Sequence, residues 1–369
     1  MSAQASESML ATATPRSPTR LLLSLAALVV TLLVLWQGFL ILRNPDLPKL
    51  PLVIAVILWG VGGVAALFTS ANLLVEQFSE DWRRRIQPFI FIGPAMLLLG
   101  WFLFLPTLRT LYLAFFGGVE SSDFVGLENF IAVFTQREML LSFRNNVLWM
   151  VIGTALCVGL GLLVAVLAER SRFETLAKAI VFMPMAISFV GAGVIWRFVY
   201  SYAPTNEPQI GLLNAIVTGL GGESQAWIGL LQPWNNFFLI AVLVWMQTGF
   251  ALVIFSAALK GIPEEILEAA YMDGATEVES FFQIMVPYIR GTIITVTTTI
   301  LIFTLKIFDV VIVMTGGQYG TDVVATQFYR QFFVNRNFGY GAAIAMVLFI
   351  AVIPVMIYNL RQMGKQEAF

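Results

Sequence analysis

Histidine is absent from this chain of 369 residues, and cysteine occurs once, at Cys157. The lone cysteine excludes an internal disulfide, and the missing histidines remove the usual metal ligand and the usual proton shuttle near neutral pH. We therefore expect no metal site and no catalytic residues in this chain. A Gly-x-x-x-x-Gly-Lys-Ser/Thr phosphate loop is also missing, so the chain has no nucleotide site of that type. The net charge of −1 gives no reason to expect a nucleic-acid partner.

Charged residues are scarce too, at 12%, whereas hydrophobic residues make up 59% of the sequence. A soluble protein rarely reaches this balance, so the sequence predicts an integral membrane protein. Its apolar runs have the length that a helix needs to cross a bilayer, which predicts an all-α protein with about eight transmembrane helices. The predicted spans are 21–42, 52–71, 89–116, 147–168, 179–200, 237–259, 291–313 and 341–360. Pro184 is expected to kink the fifth span.

Basic residues cluster in the connections that follow the second and fourth predicted spans. They are Arg83, Arg84, Arg85, Arg170, Arg172 and Lys178. The positive-inside rule places these connections on the cytoplasmic side, and with eight spans both termini lie there too. The chain then divides into a disordered cytoplasmic tail at 1–20, two extra N-terminal helices at 21–85, and a six-helix core at 86–369 with a cytoplasmic loop at 260–290.

The stretch 264–287, in that loop, is the longest soluble-looking helical segment between two apolar runs. Pro263 suits the first position of a helix, and Glu264 and Glu265 place negative charge where the helix dipole favours it. Gly274 is the permissive residue that ends such a helix. The sequence therefore predicts a short helix that ends at this glycine.

A second short helix is predicted directly after the first. Thr276 and Glu279 have the spacing of a capping box, and Pro287 is expected to end the helix. The result is a helix-turn-helix with small residues exposed at Ala269 and Ala270, which could enter a cleft on another protein. The alternative is an ordinary amphipathic loop helix.

The spacing in this stretch resembles the EAA loop of ATP-binding-cassette (ABC) importer permeases. The matching residues are Glu268-Ala269-Ala270, Asp273-Gly274, Ile284 and Val286-Pro287, with Val286 standing where the family usually has Leu. The resemblance implies a type I ABC importer permease fold, in which this loop docks in a groove on a cytoplasmic ATPase subunit. By that analogy the coupling residues are Glu268, Ala269, Ala270, Asp273, Gly274, Ile284 and Pro287.

Two ionisable residues in the seventh span, Lys306 and Asp309, are three positions apart and are expected to be neighbours on one helix face. Each would reduce the cost of burying the other, either as a structural ion pair or as a direct substrate contact. The residues Phe308-Asp309 and Met314-Thr315-Gly316-Gly317 resemble the end of this span in sugar permeases.

A substrate path for sugars would combine aromatic faces with amide and hydroxyl groups. Candidates of this character on the sixth and seventh spans are Gln247, Thr248, Phe250, Ile300, Phe303, Thr304 and Ile307. The alternative is that both stripes serve only helix packing.

Beyond the loop, the resemblance covers about residue 89 to the C-terminus and implies the permease subunit of an alpha-glucoside, glucosylglycerol or maltose type of importer. The short connection between spans three and four differs from the maltose-type subunit and favours the related importers. The partners implied are a cytoplasmic ATPase dimer that binds ATP and Mg, a second permease subunit and an extracytoplasmic sugar-binding protein, in a bacterial or archaeal cytoplasmic membrane. The alternative is an ion-coupled secondary transporter or channel that uses Lys306 and Asp309.

Overall fold

The computed structural model describes residues 18–43, 48–117, 123–204, 207–230 and 232–366, with side chains as far as Arg361. The predicted tail at 1–20 lies outside these ranges, apart from its last three residues, which begin the first helix.

The chain divides into two compact units, Met1–Thr107 and Leu108–Phe369. The first unit contains α1 (Pro18–Leu42), α2 (Lys49–Val75) and most of α3 (Glu80–Leu113). Glycines let α1 and α2 approach closely, because a Cβ on Gly38 would lie 2.1 Å from the indole nitrogen of Trp59 and one on Gly63 would lie 2.5 Å from the Leu35 side chain.

The third helix begins earlier than the sequence predicts. The third span was predicted to begin at residue 89, after a connection that contains the arginine triplet, but α3 starts at Glu80 and includes all three arginines. Glu80 and Asp81 in its first turn explain the early start, because negative charge there complements the helix dipole.

The second unit is helical as well, apart from one antiparallel pair of two-residue strands, β1 (Phe116–Gly117) and β2 (Asp123–Phe124). Its helices are α4 (Glu128–Thr135), α5 (Arg137–Glu169), α6 (Glu174–Phe182), α7 (Phe189–Val199), α8 (Leu212–Gly219), α9 (Trp234–Lys260), α10 (Glu264–Met272), α11 (Glu277–Tyr288), α12 (Arg290–Leu305), α13 (Asp309–Met314), α14 (Val324–Tyr329) and α15 (Phe338–Gln366).

Helix α9 is the centre of the second unit. Its side chains Leu239, Leu243 and Phe255 are fully buried. Two glycines permit close packing around it: a Cβ on Gly161 of α5 would lie 2.4 Å from the Ala251 side chain, and one on Gly249 would lie 2.6 Å from the backbone of α6. Helices α5, α6 and α9 therefore lie side by side, and so do their ends that the sequence predicts to be cytoplasmic.

Among the described residues, six helices are long and apolar enough to cross a membrane, and the number rises to as many as eight if each of two sharply bent helix pairs is one span. This agrees with the all-α fold and the span number predicted from the sequence.

Two predicted spans differ from the structure in detail. The fifth, at 179–200, is broken by a 3₁₀ turn at Met183–Ala186 and bends by 102°. Pro184 lies in that turn. Because proline has no amide hydrogen to continue the α-helix, the predicted kink is a break. The seventh, at 291–313, was predicted as one helix, which is wrong: α12 ends at Leu305 and α13 begins at Asp309.

Candidate functional site

The segment α10–α11 (Glu264–Tyr288) has the cap chemistry that its sequence predicts. Gly274 has a φ of +85°, a left-handed conformation that strains any other residue except asparagine. The amide of Gly274 donates to the carbonyl of Tyr271 at 3.1 Å, and the amide of Ala275 donates to the carbonyl of Ala270 at 3.0 Å. These two bonds form a Schellman motif, which ends α10 sharply and reverses the chain into α11.

The predicted capping box starts α11. The amide of Thr276 donates to the Glu279 carboxylate at 2.8 Å, and the amide of Glu279 donates to the Thr276 hydroxyl at 3.3 Å. The bond from the Thr276 amide is also the main reason that the pKa of Glu279 lies below its ordinary value. Pro287 was expected to end the helix, which continues for one more residue, to Tyr288.

The outward face of α10 is open and acidic. Glu268 and Ala269 are exposed, and Met272 is 88% exposed. Ala270 was expected to be exposed like Ala269, but only 8% of its surface is accessible, because it lies on the same side of the helix as Leu267, which packs against the core. Residues 264–289 contain six acidic side chains and no basic one. Asp273 is exposed and Ile284 half-buried.

A group of five side chains joins the ends of α5, α6 and α9 beside this segment. We call it the ionic cluster, and its members are Glu169, Glu174, Lys178, Ser256 and Lys260. Lys178 contacts both glutamates and Ser256, and Lys260 lies 2.6 Å from Glu174 and 3.5 Å from Glu169. The hydrogen bond from Lys178, followed by that from Lys260, lowers the pKa of Glu174.

Sequence reasoning missed this cluster because it treated Lys178 only as an indicator of membrane orientation. The spacing of Glu174 and Lys178, four residues apart on one short helix, was the available signal. Nothing local in the sequence indicates that Glu169 and Lys260 complete the group.

The ionic cluster borders a cavity of about 840 Å³ that separates α10–α11 from the ends of α5 and α9. Arg170 and Glu277 form an ion pair at the edge of this cavity. Glu277 remains 69% exposed while paired.

Lys306 and Asp309 do not share a helix. The amides of Lys306 and Ile307 bond to carbonyls only three residues back, at 3.2 Å each, which closes the end of α12. Within the described ranges no ion pair joins the two side chains. Both instead line a cavity of about 310 Å³ together with Phe189, Phe303 and Phe308. The predicted neighbouring positions on one helix face are therefore wrong, since the helix breaks between them.

The predicted substrate-path residues are mostly enclosed by this chain's own helices. Ile300 and Thr304 are fully buried and Ile307 is 5% exposed, whereas Phe303 is 46% exposed and faces the cavity beside Lys306. On α9, Gln247 and Thr248 are buried and Phe250 is half-buried. Thr248 bonds to its own helix at Val244 and lines an apolar cavity of about 570 Å³.

At the opposite end of α9 lies a group of buried amides that sequence reasoning missed. We call it the amide cluster, and it consists of Asn145, Asn146 and Asn235. Asn145 donates to the carbonyls of Gly320 and Asp322 at 2.8 Å each, and Asn235 donates to the carbonyl of Tyr319 at 2.8 Å. Asn146 donates to Leu305 at 3.0 Å and accepts from the amide of Val324 at 2.8 Å. Two adjacent asparagines at the edge of an apolar run, as at 145–146 and 235–236, were the available signal.

The amide cluster holds a loop, Thr315–Asp322, in which Gly316, Gly317, Tyr319 and Gly320 all have positive φ. Asp322 forms a two-pronged ion pair with Arg330, at 2.7 and 3.0 Å. Burial raises the pKa of Asp322, and the guanidinium of Arg330 offsets only part of that rise.

The fold and the capped α10–α11 segment define a membrane permease that lacks the common nucleotide-binding loop. Residues 157–363, more than half of the chain, match the family described as binding-protein-dependent transport system inner membrane component. The osmoprotective compounds uptake permease protein GgtC of Synechocystis sp. is 51% identical over 278 residues, which cover 75% of this chain and 99% of that protein. The alpha-glucoside transport system permease protein AglF of Rhizobium meliloti is 46% identical over 331 residues, covering 85% and 98%.

Solved structures agree on the fold. A bacterial ABC transporter that imports the acidic polysaccharide alginate matches with a TM-score of 0.66 at 19% identity, covering 76% of this chain and 98% of that one. The chain therefore belongs to the binding-protein-dependent transport system inner membrane component family, the permease subunits of ABC importers. This confirms the type I importer permease fold expected from the EAA-like residues and decides against the ion-coupled alternative.

Proposed function

We propose that this chain is the permease subunit of an ATP-driven importer of an alpha-glucoside or a related osmoprotective sugar, and that it passes the substrate by alternating access. The geometry of α10–α11 carries the proposal. Caps on both sides fix the turn between α10 and α11, and α10 presents an open face with Glu268 and Ala269 outward. A rigid helical segment of this kind is suited to bind in a groove on a partner.

The partner at this face is a cytoplasmic ATPase dimer, which binds ATP and Mg. Because six acidic side chains and no basic one lie in 264–289, the groove that receives α10 should be lined by basic residues. Gly274 and Asp273 set the turn, whereas Ile284 is half-buried in α11 and Pro287 lies exposed near its end.

The substrate path passes the helix break at 306–308. A lysine with no anionic partner in the described ranges is costly against lipid, so Lys306 belongs beside water, the substrate or the second permease subunit. Asp309 and the exposed ring of Phe303 lie in the same cavity, and together they offer charge, hydrogen bonds and an aromatic face to a sugar. Ile307 also lines this cavity, whereas the other candidates lie among this chain's own helices: Gln247, Thr248, Phe250, Ile300 and Thr304.

The family name supports delivery of the substrate by an extracytoplasmic binding protein. The names of two relatives, which refer to alpha-glucosides and osmoprotective compounds, support the substrate class. The basic residues after the second and fourth predicted spans support a multi-pass protein of the cytoplasmic membrane with both termini and α10–α11 inside.

Uptake by the complete transporter in sealed proteoliposomes tests the proposal. With binding protein outside and ATP inside, labelled sucrose, maltose, trehalose or glucosylglycerol should accumulate, whereas the β-linked cellobiose should not. Accumulation that needs an ion gradient and proceeds without ATP would contradict the proposed function.

A further inference from the structure

The ionic cluster ties three helices into one body at their cytoplasmic ends. Lys178 of α6 bridges Glu169 of α5 and Glu174 of its own helix, while Lys260 of α9 contacts the same two glutamates. The side chains of Lys178, Glu169 and Glu174 are only 18 to 29% exposed. Ion pairs that are partly shielded from water hold their geometry better than exposed ones, so these three ends should move together.

Segment α10–α11 is attached to this body in two different ways. Apolar side chains, including Leu267, Phe281 and Met285, pack against the core at the roots of the segment. Farther out, the cavity of about 840 Å³ separates the segment from α5 and α9. Across that space, Arg170 to Glu277 is the one ion pair in the described part of the chain that joins α10–α11 to another element.

The ion pair lies between the turn of α10–α11 and the ionic cluster. Glu277 is the first residue of α11, directly after the turn that Gly274 and Thr276 fix. Arg170 follows Glu169, a member of the ionic cluster, so a shift of the turn reaches α5, α6 and α9 through two consecutive side chains. An exposed pair of this kind contributes little to stability, so its effect should be seen in coupling rather than in folding.

We propose that Arg170 and Glu277 are positioning residues that transmit displacement of α10–α11 to the ionic cluster, and through it to α5, α6 and α9 as one unit. This inference rests on the proposed function, because it specifies how motion of a docked ATPase reaches the membrane helices. Arg170 and Glu277 lie outside the EAA-like residues, and they act on α5, α6 and α9, which the ionic cluster joins.

Charge reversal in the complete transporter tests the inference. Arg170→Glu and Glu277→Arg, each alone, should lower the number of substrate molecules transported per ATP hydrolysed by about fivefold, and the double variant should return to within about twofold of the wild type. Arg172→Glu is the matched control: it makes the same charge change in the same connection, and Arg172 has no ion pair in the described ranges, so its ratio should equal that of the wild type.

Three further readouts keep the outcomes distinct. The apparent melting temperature and the yield of assembled complex should be the same for all variants, because the pair is exposed. High salt on the cytoplasmic side should lower the wild-type ratio by a larger factor than the ratio of either single variant, since only the wild type has this pair to screen. The milder Arg170→Gln and Glu277→Gln should fall between the wild type and the reversals.

The two proposals fail differently. A wild type whose transport needs no ATP overturns the proposed function. A wild type with ATP-coupled transport in which the single reversals match Arg172→Glu, or in which the double variant is no better than either single one, overturns the inference alone.

Discussion

The two ends of α9 are surrounded by different kinds of polar side chain. The helix has 27 residues, so its ends are about 40 Å apart. At one end, Asn145 and Asn235 donate to the backbone of a loop rich in positive φ, and Asn146 bonds to the backbone of Leu305 and Val324. At the other end, Lys260 and its partners form charged pairs that are partly open to water, next to a large cavity.

This difference indicates different mechanical roles. A buried amide that loses its partner keeps the full cost of desolvation, so the amide cluster has one well-defined arrangement. The exposed Arg170–Glu277 pair beside the cavity can exchange partners at low cost, so α10–α11 can shift relative to the ionic cluster. We infer that the amide end is the fixed reference of the transporter and that the ionic end is where motion enters.

The largest effect should follow from breaking the amide end. Asn145→Ala removes the hydrogen bonds to the carbonyls of Gly320 and Asp322, of which Gly320 keeps a bond from Gln232, and should destabilise the fold by about 2–3 kcal/mol. The apparent melting temperature of the purified transporter measures this loss. Asn335→Ala is the control, because the exposed side chain of Asn335 donates only to nearby Gln331. Equal melting temperatures for both variants would contradict the fixed-reference role.

A smaller and more local effect is expected at the turn of α10–α11. Gly274→Ala forces a Cβ into a left-handed conformation at about 1–2 kcal/mol, although the space around it is open. Transport should fall while the melting temperature of the whole protein changes little. Gly274→Asn should be milder, because asparagine tolerates this conformation, and Gly219→Ala, where φ is not positive and nothing lies within 4 Å of an added Cβ, should be silent. If alanine were no worse than asparagine at position 274, the turn would not limit coupling.

Removing the central cation of the ionic cluster should have a modest effect on stability. Lys178→Met leaves Glu169 and Glu174 close together with Lys260 as their remaining shared partner, at a cost on the order of 1 kcal/mol because the site is partly open to water. Lys178→Arg retains the charge and should lose less. Melting temperatures of the two variants give the comparison, and a Met variant as stable as the Arg variant would show that the charges do not hold the three helices together.

The smallest effect is a difference in pH response between the two ends. Glu174 has a lowered pKa, so its stabilisation is present above the ordinary glutamate pKa and is lost as pH falls through the folded value. Asp322 has a raised pKa, so its contribution is full below the ordinary aspartate pKa and is lost as pH rises through the folded value. On acidification, the melting-temperature advantage of wild type over Glu174→Gln should shrink, whereas that over Asp322→Asn should grow. Parallel trends would contradict the contrast.

Local sequence patterns were sufficient for much of the fold and for segment α10–α11. Apolar runs of bilayer length predicted the spans, and the Thr276–Glu279 spacing and Gly274 predicted a helix-turn-helix whose caps the structure shows bond by bond. Such features depend on residues within a few positions of one another, so one sequence contains all the information that they need.

Contacts between distant residues could not be predicted in this way. The break after Leu305 separates Lys306 from Asp309 although periodicity favoured one helix, and the ionic cluster joins Glu169 to Lys260 across 91 positions of chain. Ala270 is buried because α10 turns that side towards the core, which depends on tertiary packing rather than on the composition of the helix.

The most direct test of the central claim is site-specific crosslinking from α10. Cys157 is the only native thiol and is fully buried, so Ala269→Cys can be labelled selectively with a photoreactive group. In native membranes, this probe should crosslink to an ATP-hydrolysing subunit. The crosslinking yield should change when that subunit is trapped with ATP bound. The same probe at Asn335→Cys, in the loop that precedes α15, should give no such product. Crosslinks from position 269 only to lipid or to copies of this chain would contradict the account.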